Sequence, residues 1–175
     1  MKTRKNIKPQ KPVQKIPVRY LPNYLSQKDK KEQIHMLRLS RKKYKKHKYY
    51  NRASLSSYTS KPSNHVKHAQ KIYKIDHIIP NKELAKKTGC DLSALRKIVK
   101  KGEGAYYSSG SRPNQTPQSW GLARLASAIT SGKAAAVDYD ILLNGCDHNK
   151  PAFLLAKKSK RKYGYGHSKT RKVSI

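Results

Sequence analysis

Apolar side chains along this chain fall into short amphipathic stretches between a polar, proline-broken start and a polar end. Between residues 27 and 44, Ile34, Leu37 and Tyr44 share one side of a helix turning about 100° per residue, while Met36 and Leu39 lie on the other. Ser26 followed by Asp29 supplies an N-cap with an acidic third position. Two apolar stripes on one helix predict contact with two bodies. Val66, Ala69, Ile72 and Tyr73 predict a second helix, capped by Ser63 or Asn64. Pro80 precedes a short helix near 82–87 that Gly89 closes. Leu92, Leu95, Ile98 and Val99 form the cleanest stripe, which predicts a helix capped by Asp91 and ended by Gly102. Residues 104–113 lack a helical period and are rich in turn formers, so they read as a loop or short hairpin. Thr116-Pro117 opens a helix running to about Thr130. Ala134 to Leu143 forms the last one, stopped by Asn144-Gly145.

This is the pattern of a mainly α protein. A small helical domain, about 63–145, follows a long basic helix and a Tyr/Ser loop (26–62). An extended basic arm (1–25) precedes them, and a basic Tyr/Gly-containing tail (146–175) follows. Pro9, Pro12, Pro17 and Pro22 rule out helix in the first arm. Its apolar points thicken towards residue 25, which predicts that Tyr20, Leu21 and Tyr24 pin the arm along another surface.

Charge sharpens this picture. The chain has 41 Lys and Arg against 9 Asp and Glu, a net +32, yet residues 101–150 hold five basic and four acidic side chains, a net of +1. A near-neutral unit is therefore flanked by polycationic segments. So much like charge with so little hydrophobicity implies segments that are ordered by an external partner. The 12 tyrosines suit such contacts, because a ring can be buried while its hydroxyl stays hydrogen-bonded. No stretch reaches the ~20 apolar residues of a membrane span. The first residues lack the apolar run of a secretory signal. Cys90 and Cys146 are expected to remain reduced in so lysine-rich a chain.

Candidate chemistry is sparse. Ser108, Ser109, Ser111, Arg112, Asn114 and Gln115 could offer hydroxyls, amides and a guanidinium to an anion or partner. The run is no P-loop, because the GxxxxGK[ST] pattern is missing. Its side chains could equally tie the loop to backbone, with Trp120 as anchor. His65, His68, His77 and His148 show no zinc-like spacing, and Asp138 and Asp140 point to different sides of their helix. No metal, cofactor, catalytic residue or small-molecule substrate is expected, and the protein reads as a non-enzyme. Arg38, Arg41, Lys42 and Lys45 form a partner-facing basic surface on the long helix. Arg161, Tyr163 and Tyr165 do the same in the tail. Basic segments with interleaved tyrosines bind nucleic acid by phosphate neutralisation and stacking. They would also serve acidic protein surfaces or an anionic inner-membrane surface.

The phrase from Lys101 to Thr116, with Ser119-Trp120, Ala123-Arg124-Leu125-Ala126-Ser127, Lys133 to Asp138 and Gly145-Cys146, resembles an uncharacterised domain family of nucleocytoplasmic large DNA viruses. Tyr20-Leu21-Pro22, Met36-Leu37, Ser40-Arg41-Lys42 and Tyr44-Lys45 extend the resemblance upstream. It covers roughly residues 18–146 and carries no activity with it. What it implies is a virion setting. The expected role is a minor capsid protein bridging or cementing neighbouring subunits, with the major capsid protein and other minor capsid proteins as partners. The alternative is a sequence-independent nucleic-acid-binding, genome-packaging virion protein.

Overall fold

The computed structural model describes residues 15–166 and 171–175. Among the described residues eight α-helices follow one another: α1 (Gln27–Tyr44), α2 (Asn64–Tyr73), α3 (Lys82–Thr88), α4 (Leu92–Ser108), α5 (Pro117–Ala128), α6 (Lys133–Val137), α7 (Tyr139–Gly145) and α8 (Pro151–Tyr163). A short strand, β1 (Lys15–Pro17), pairs antiparallel with β2 (Lys172–Ser174), placing Ile16 opposite Val173. The protein is mainly α, as its pattern predicts.

Local signals set several helix ends. Ser26 Oγ accepts from the Asp29 amide at 3.1 Å to start α1. Asn81 Oδ1 accepts from the Leu84 amide at 2.8 Å to start α3. Thr116 and Ser119 form a reciprocal capping box at α5, where Pro117 occupies the first turn and needs no partner for an N–H.

Two apolar clusters result. The larger joins α2 to α8, with Tyr73, Leu84, Leu95, Ile98, Leu125 and Phe153 among its buried members. The smaller holds Ile16, Tyr20, Leu21, Leu25, Met36 and Leu37 together with Leu55, and Trp120, Val173 and Ile175 pack against it.

Several expectations are corrected. α1 has one buried face, not two. Gln33, Met36, Leu37 and Ser40 are buried, and Ile34 and Leu39 are its half-buried edges. The middle of that face is partly polar, so apolar positions alone split it in two. Gln33 Nε2 donates to the Tyr20 carbonyl at 2.9 Å, and Ser40 Oγ donates to the Tyr107 carbonyl at 3.0 Å.

Gly102 does not end α4, which continues to Ser108 through the stretch read as a hairpin. The glycine serves the crossing with α5: a Cβ on Gly102 would come within 2.6 Å of the Gly121 Cα. Side-chain bulk there would push the two helices apart.

The predicted last helix is two, broken at Asp138, and a further helix lies beyond it. In α8, Ala152, Phe153, Ala156 and Ser159 are buried, so the main core extends past residue 145 into the segment read as tail.

The described part of the first arm does not reach outward either. Tyr20 and Leu21 are buried against α1 of their own chain, and Tyr20 meets Trp120 edge-on at 5.8 Å. Of the three expected anchors, Tyr24 is the exposed one. Residues 1–14 of the arm and 167–170 of the tail lie outside the described residues.

Cys90 and Cys146 are joined in a disulfide, against the expectation of free thiols. Backbone pairing brings them together: the Asp91 amide donates to the Gly145 carbonyl at 2.7 Å, and the Asp147 amide to the Gly89 carbonyl at 2.8 Å. A sequence separation of 56 hides this neighbourhood.

Asp29 fastens the 51–63 connection to the start of α1. Its Oδ2 accepts from the Ser57 amide at 2.8 Å and from Ser57 Oγ at 2.6 Å. These bonds hold its carboxyl below the ordinary value of 3.8. Because the folded value is the lower one, the contribution is complete above the ordinary value and is lost as pH falls below it. Protection of the Ser57 amide against hydrogen exchange is therefore expected to drop on acidification through that range. In Asp29→Asn it should already be low at neutral pH. Equal protection in both proteins at neutral pH would refute this.

A cationic, tyrosine-rimmed face on the long helix

Arg38, Arg41 and Lys42 in the last turns of α1 and Lys45 and Lys46 in the turn that follows recur at three- or four-residue spacing, so they form one stripe. That stripe faces away from the buried side made by Gln33, Met36, Leu37 and Ser40. These side chains line an open cleft of about 500 Å³, closed on one side by Ser108 at the end of α4. Among the described residues no carboxylate lines it.

Beside the cleft, three tyrosines pack together. Tyr44 stacks on Tyr107 with ring centroids 6.1 Å apart and planes 7° from parallel. Tyr49 leans on Tyr107 at 4.9 Å and is 70% exposed. Burial, followed by the neighbouring Tyr106 and Glu103, pushes the Tyr107 phenol above its ordinary value, so it stays a neutral hydroxyl.

Arg52 holds this assembly from beneath. Its guanidinium donates to Ser40 Oγ at 3.2 Å, to the Tyr106 carbonyl at 3.0 Å and to Ser111 Oγ at 2.7 Å. It also lies 3.6 Å from the centroid of the Tyr106 ring, close enough for a cation–π contact. Burial lowers the pKa of Arg52, and that of Arg41. A guanidinium nevertheless keeps its charge at any physiological pH. Arg41 also donates to the Ser109 carbonyl at 2.8 Å, tying the cationic stripe to the end of α4.

The 108–115 candidates divide accordingly. Ser111 is buried; it accepts from Arg52 and donates to the Arg112 carbonyl at 2.7 Å. Asn114 Oδ1 accepts from the Leu55 amide at 2.7 Å, and its Nδ2 donates to the Leu55 carbonyl at 3.0 Å. Gln115 Oε1 accepts from Ser119 Oγ at 3.0 Å. These three side chains are structural: Asn114 ties to the 51–58 connection, and Ser111 ties both to that connection and to its own loop. Gly110, just before Ser111, turns at φ 98°, where a Cβ would come within 2.6 Å of Leu37 Cδ2.

Ser108, Ser109 and Arg112 remain at the surface. Ser108 Oγ donates to the Gly104 carbonyl at 2.9 Å. Arg112 lines a second, smaller cleft of about 240 Å³ with Arg19, Lys61, Tyr24 and Tyr58. There Tyr24, 62% exposed, stacks on Tyr58 at 6.1 Å with planes 17° apart.

The tail candidates line neither cleft. Arg161 is exposed near the end of α8, Tyr163 is its half-buried last residue, and Tyr165 is exposed with Lys160 Nζ 3.9 Å from its ring centroid. Arg52, Lys46, Tyr44 and Tyr49 are participants that sequence reasoning did not nominate. Lys46 was legible as a continuation of the stripe, but Arg52 lies in an irregular connection whose partners are distant in sequence.

Among the described residues no group of three or more His, Cys, Asp or Glu is placed to hold a metal ion. None of their helices is long and apolar enough to cross a membrane. The site is therefore an open cationic surface with aromatic edges on a helical, disulfide-linked body. Residues 17–149 match a family of unknown function, DUF5824, and the chain belongs to that family. No curated protein and no solved structure matches it.

Proposed function

We propose that this protein binds nucleic acid through phosphate neutralisation at the α1 cleft, without reading base sequence. The observation that carries the proposal is the clustering of Arg41, Lys42, Lys45 and Lys46 around one cleft whose described lining holds no carboxylate. Like charges held this close repel one another, and an anion with regularly spaced phosphates relieves that repulsion along the whole stripe. From Arg38 to Lys46 the stripe covers about 12 Å at ~1.5 Å per residue, which matches three to four phosphates of a stacked strand at ~3.4 Å each. In the large-virus setting that the family resemblance implies, the protein would be a genome-associated virion component.

The test is the salt dependence of binding. Lys42, Lys45 and Lys46 are exposed, so replacing all three with alanine leaves the buried face of α1 intact. The variant is expected to bind a DNA oligonucleotide roughly 100-fold more weakly near 0.1 M salt, with the slope of log K against log salt flatter by about 2–3. An unchanged slope would sink the proposal.

The capsid-cementing role draws support from the resemblance and from the net +32 charge, which acidic protein surfaces would also neutralise. However, the described parts of both arms pack on their own chain, which weakens the bridging part of that reading. Fractionation separates the two roles: retention in shells emptied of DNA favours cementing, and loss with the DNA favours genome binding.

A further inference from the structure

Two features of the surface go beyond phosphate neutralisation. Tyr44 lines the first cleft, and the strongly exposed Tyr49 leans on it at 6.2 Å while packing on Tyr107; the strongly exposed Tyr24 lines the second and stacks on Tyr58. Isolated exposed aromatics are ordinary on protein surfaces. Two exposed rings, each held by an aromatic neighbour that lines a cationic cleft or shares its lining, are a repeated unit. A ring fixed in this way loses little freedom when a second π-face settles on it.

The clefts are also linked. Ser108 lines the first and Arg112 the second. Four residues of chain separate these positions, so their Cα atoms are at most ~14 Å apart. With stacked nucleotides rising ~3.4 Å each, a strand touching both clefts extends over about four to six nucleotides.

From this geometry we infer that the ligand is single-stranded nucleic acid, its phosphates on the α1 stripe and the Arg112 cluster and its bases stacked on Tyr49 and Tyr24. The inference rests on the nucleic-acid reading above and specifies its substrate class. In a duplex the base faces are already stacked on one another and closed to a surface tyrosine. A single strand offers them freely, and every base has such a face, so stacking adds affinity without sequence preference. Acidic peptides and lipid headgroups would engage the cations but have no comparable flat faces for the rings.

The experiment compares a fluorescein-labelled oligothymidylate with a duplex of equal length by anisotropy, at matched salt, using the full chain. Wild type is expected to bind the single strand more tightly. Tyr24→Ala/Tyr49→Ala should weaken single-strand binding by at least ~30-fold, leave duplex binding unchanged and leave the salt slope unchanged. Tyr24→Phe/Tyr49→Phe should bind as wild type does, because the ring is retained, and this variant also guards against a general folding defect. Equal single-strand affinity in the alanine variant, or a parallel loss for the duplex, overturns the inference while leaving the phosphate-binding role standing. Failure of the wild type to bind either oligonucleotide at low salt overturns both.

Discussion

Asp138→Ala is expected to destabilise the protein by about 3 kcal/mol. This corresponds to a fall in melting temperature of roughly 6–12 °C for a chain of this size. The Asp138 side chain is fully buried. Its Oδ1 accepts from Lys101 Nζ at 2.7 Å and Arg124 Nη2 at 2.8 Å, and its Oδ2 accepts from Arg124 Nε at 2.7 Å. One carboxylate thus joins α4, α5 and the junction of α6 with α7. Removing it leaves Arg124, 20% exposed, with no anion in a region that water reaches poorly. Lys101 is 48% exposed and can turn to solvent, which places the expected loss at the lower end of the ~3–5 kcal/mol range for breaking such a pair. In Asp138→Ala/Arg124→Met the stranded charge is gone, so part of the loss should be recovered. Thermal melts of the three proteins test this. A single variant melting within about a degree of wild type would show that solvent already screens the network.

Loss of the Cys90–Cys146 link is the second large effect. Closing 56 residues of sequence separation restricts the unfolded chain by about 4 kcal/mol on the chain-entropy account. Cys90→Ser and Cys146→Ser should therefore lower the melting temperature equally, by roughly 8–16 °C. Dithiothreitol should do the same to wild type and nothing to either variant. The bonds from Asp91 to Gly145 and from Asp147 to Gly89 keep the two segments adjacent after reduction, so the native pairing should reform on removing the reductant. A wild-type melting curve indifferent to reductant would refute this account.

The candidate site was partly legible beforehand, and the split follows the range of the interactions. The stripe of Arg38, Arg41, Lys42 and Lys45 follows from helical spacing alone, and those residues do share one cleft. The 108–115 run was recognisable as polar and specific, but whether its side chains face a ligand or the protein depends on Arg52, Leu55 and Tyr58, more than 50 residues earlier. The tyrosine pairs could not be read at all. Tyr24 with Tyr58 and Tyr49 with Tyr107 meet only because the connection after α1 folds back over the start of α1 and the end of α4.

The helical class, the five helices between residues 27 and 130, several caps and the cationic stripe were determined by the sequence by itself, since each rests on neighbours within about one or two turns. The tertiary structure alone decided that the described parts of the arms return to their own body, that α8 completes the core, that two cysteines meet, and that Gly102 marks a helix crossing instead of a helix end. The family match ends at residue 149, yet Phe153 just beyond it is fully buried. The physical reason is common to all of these: burial and pairing depend on which distant surfaces meet, and local periodicity carries no information about that choice.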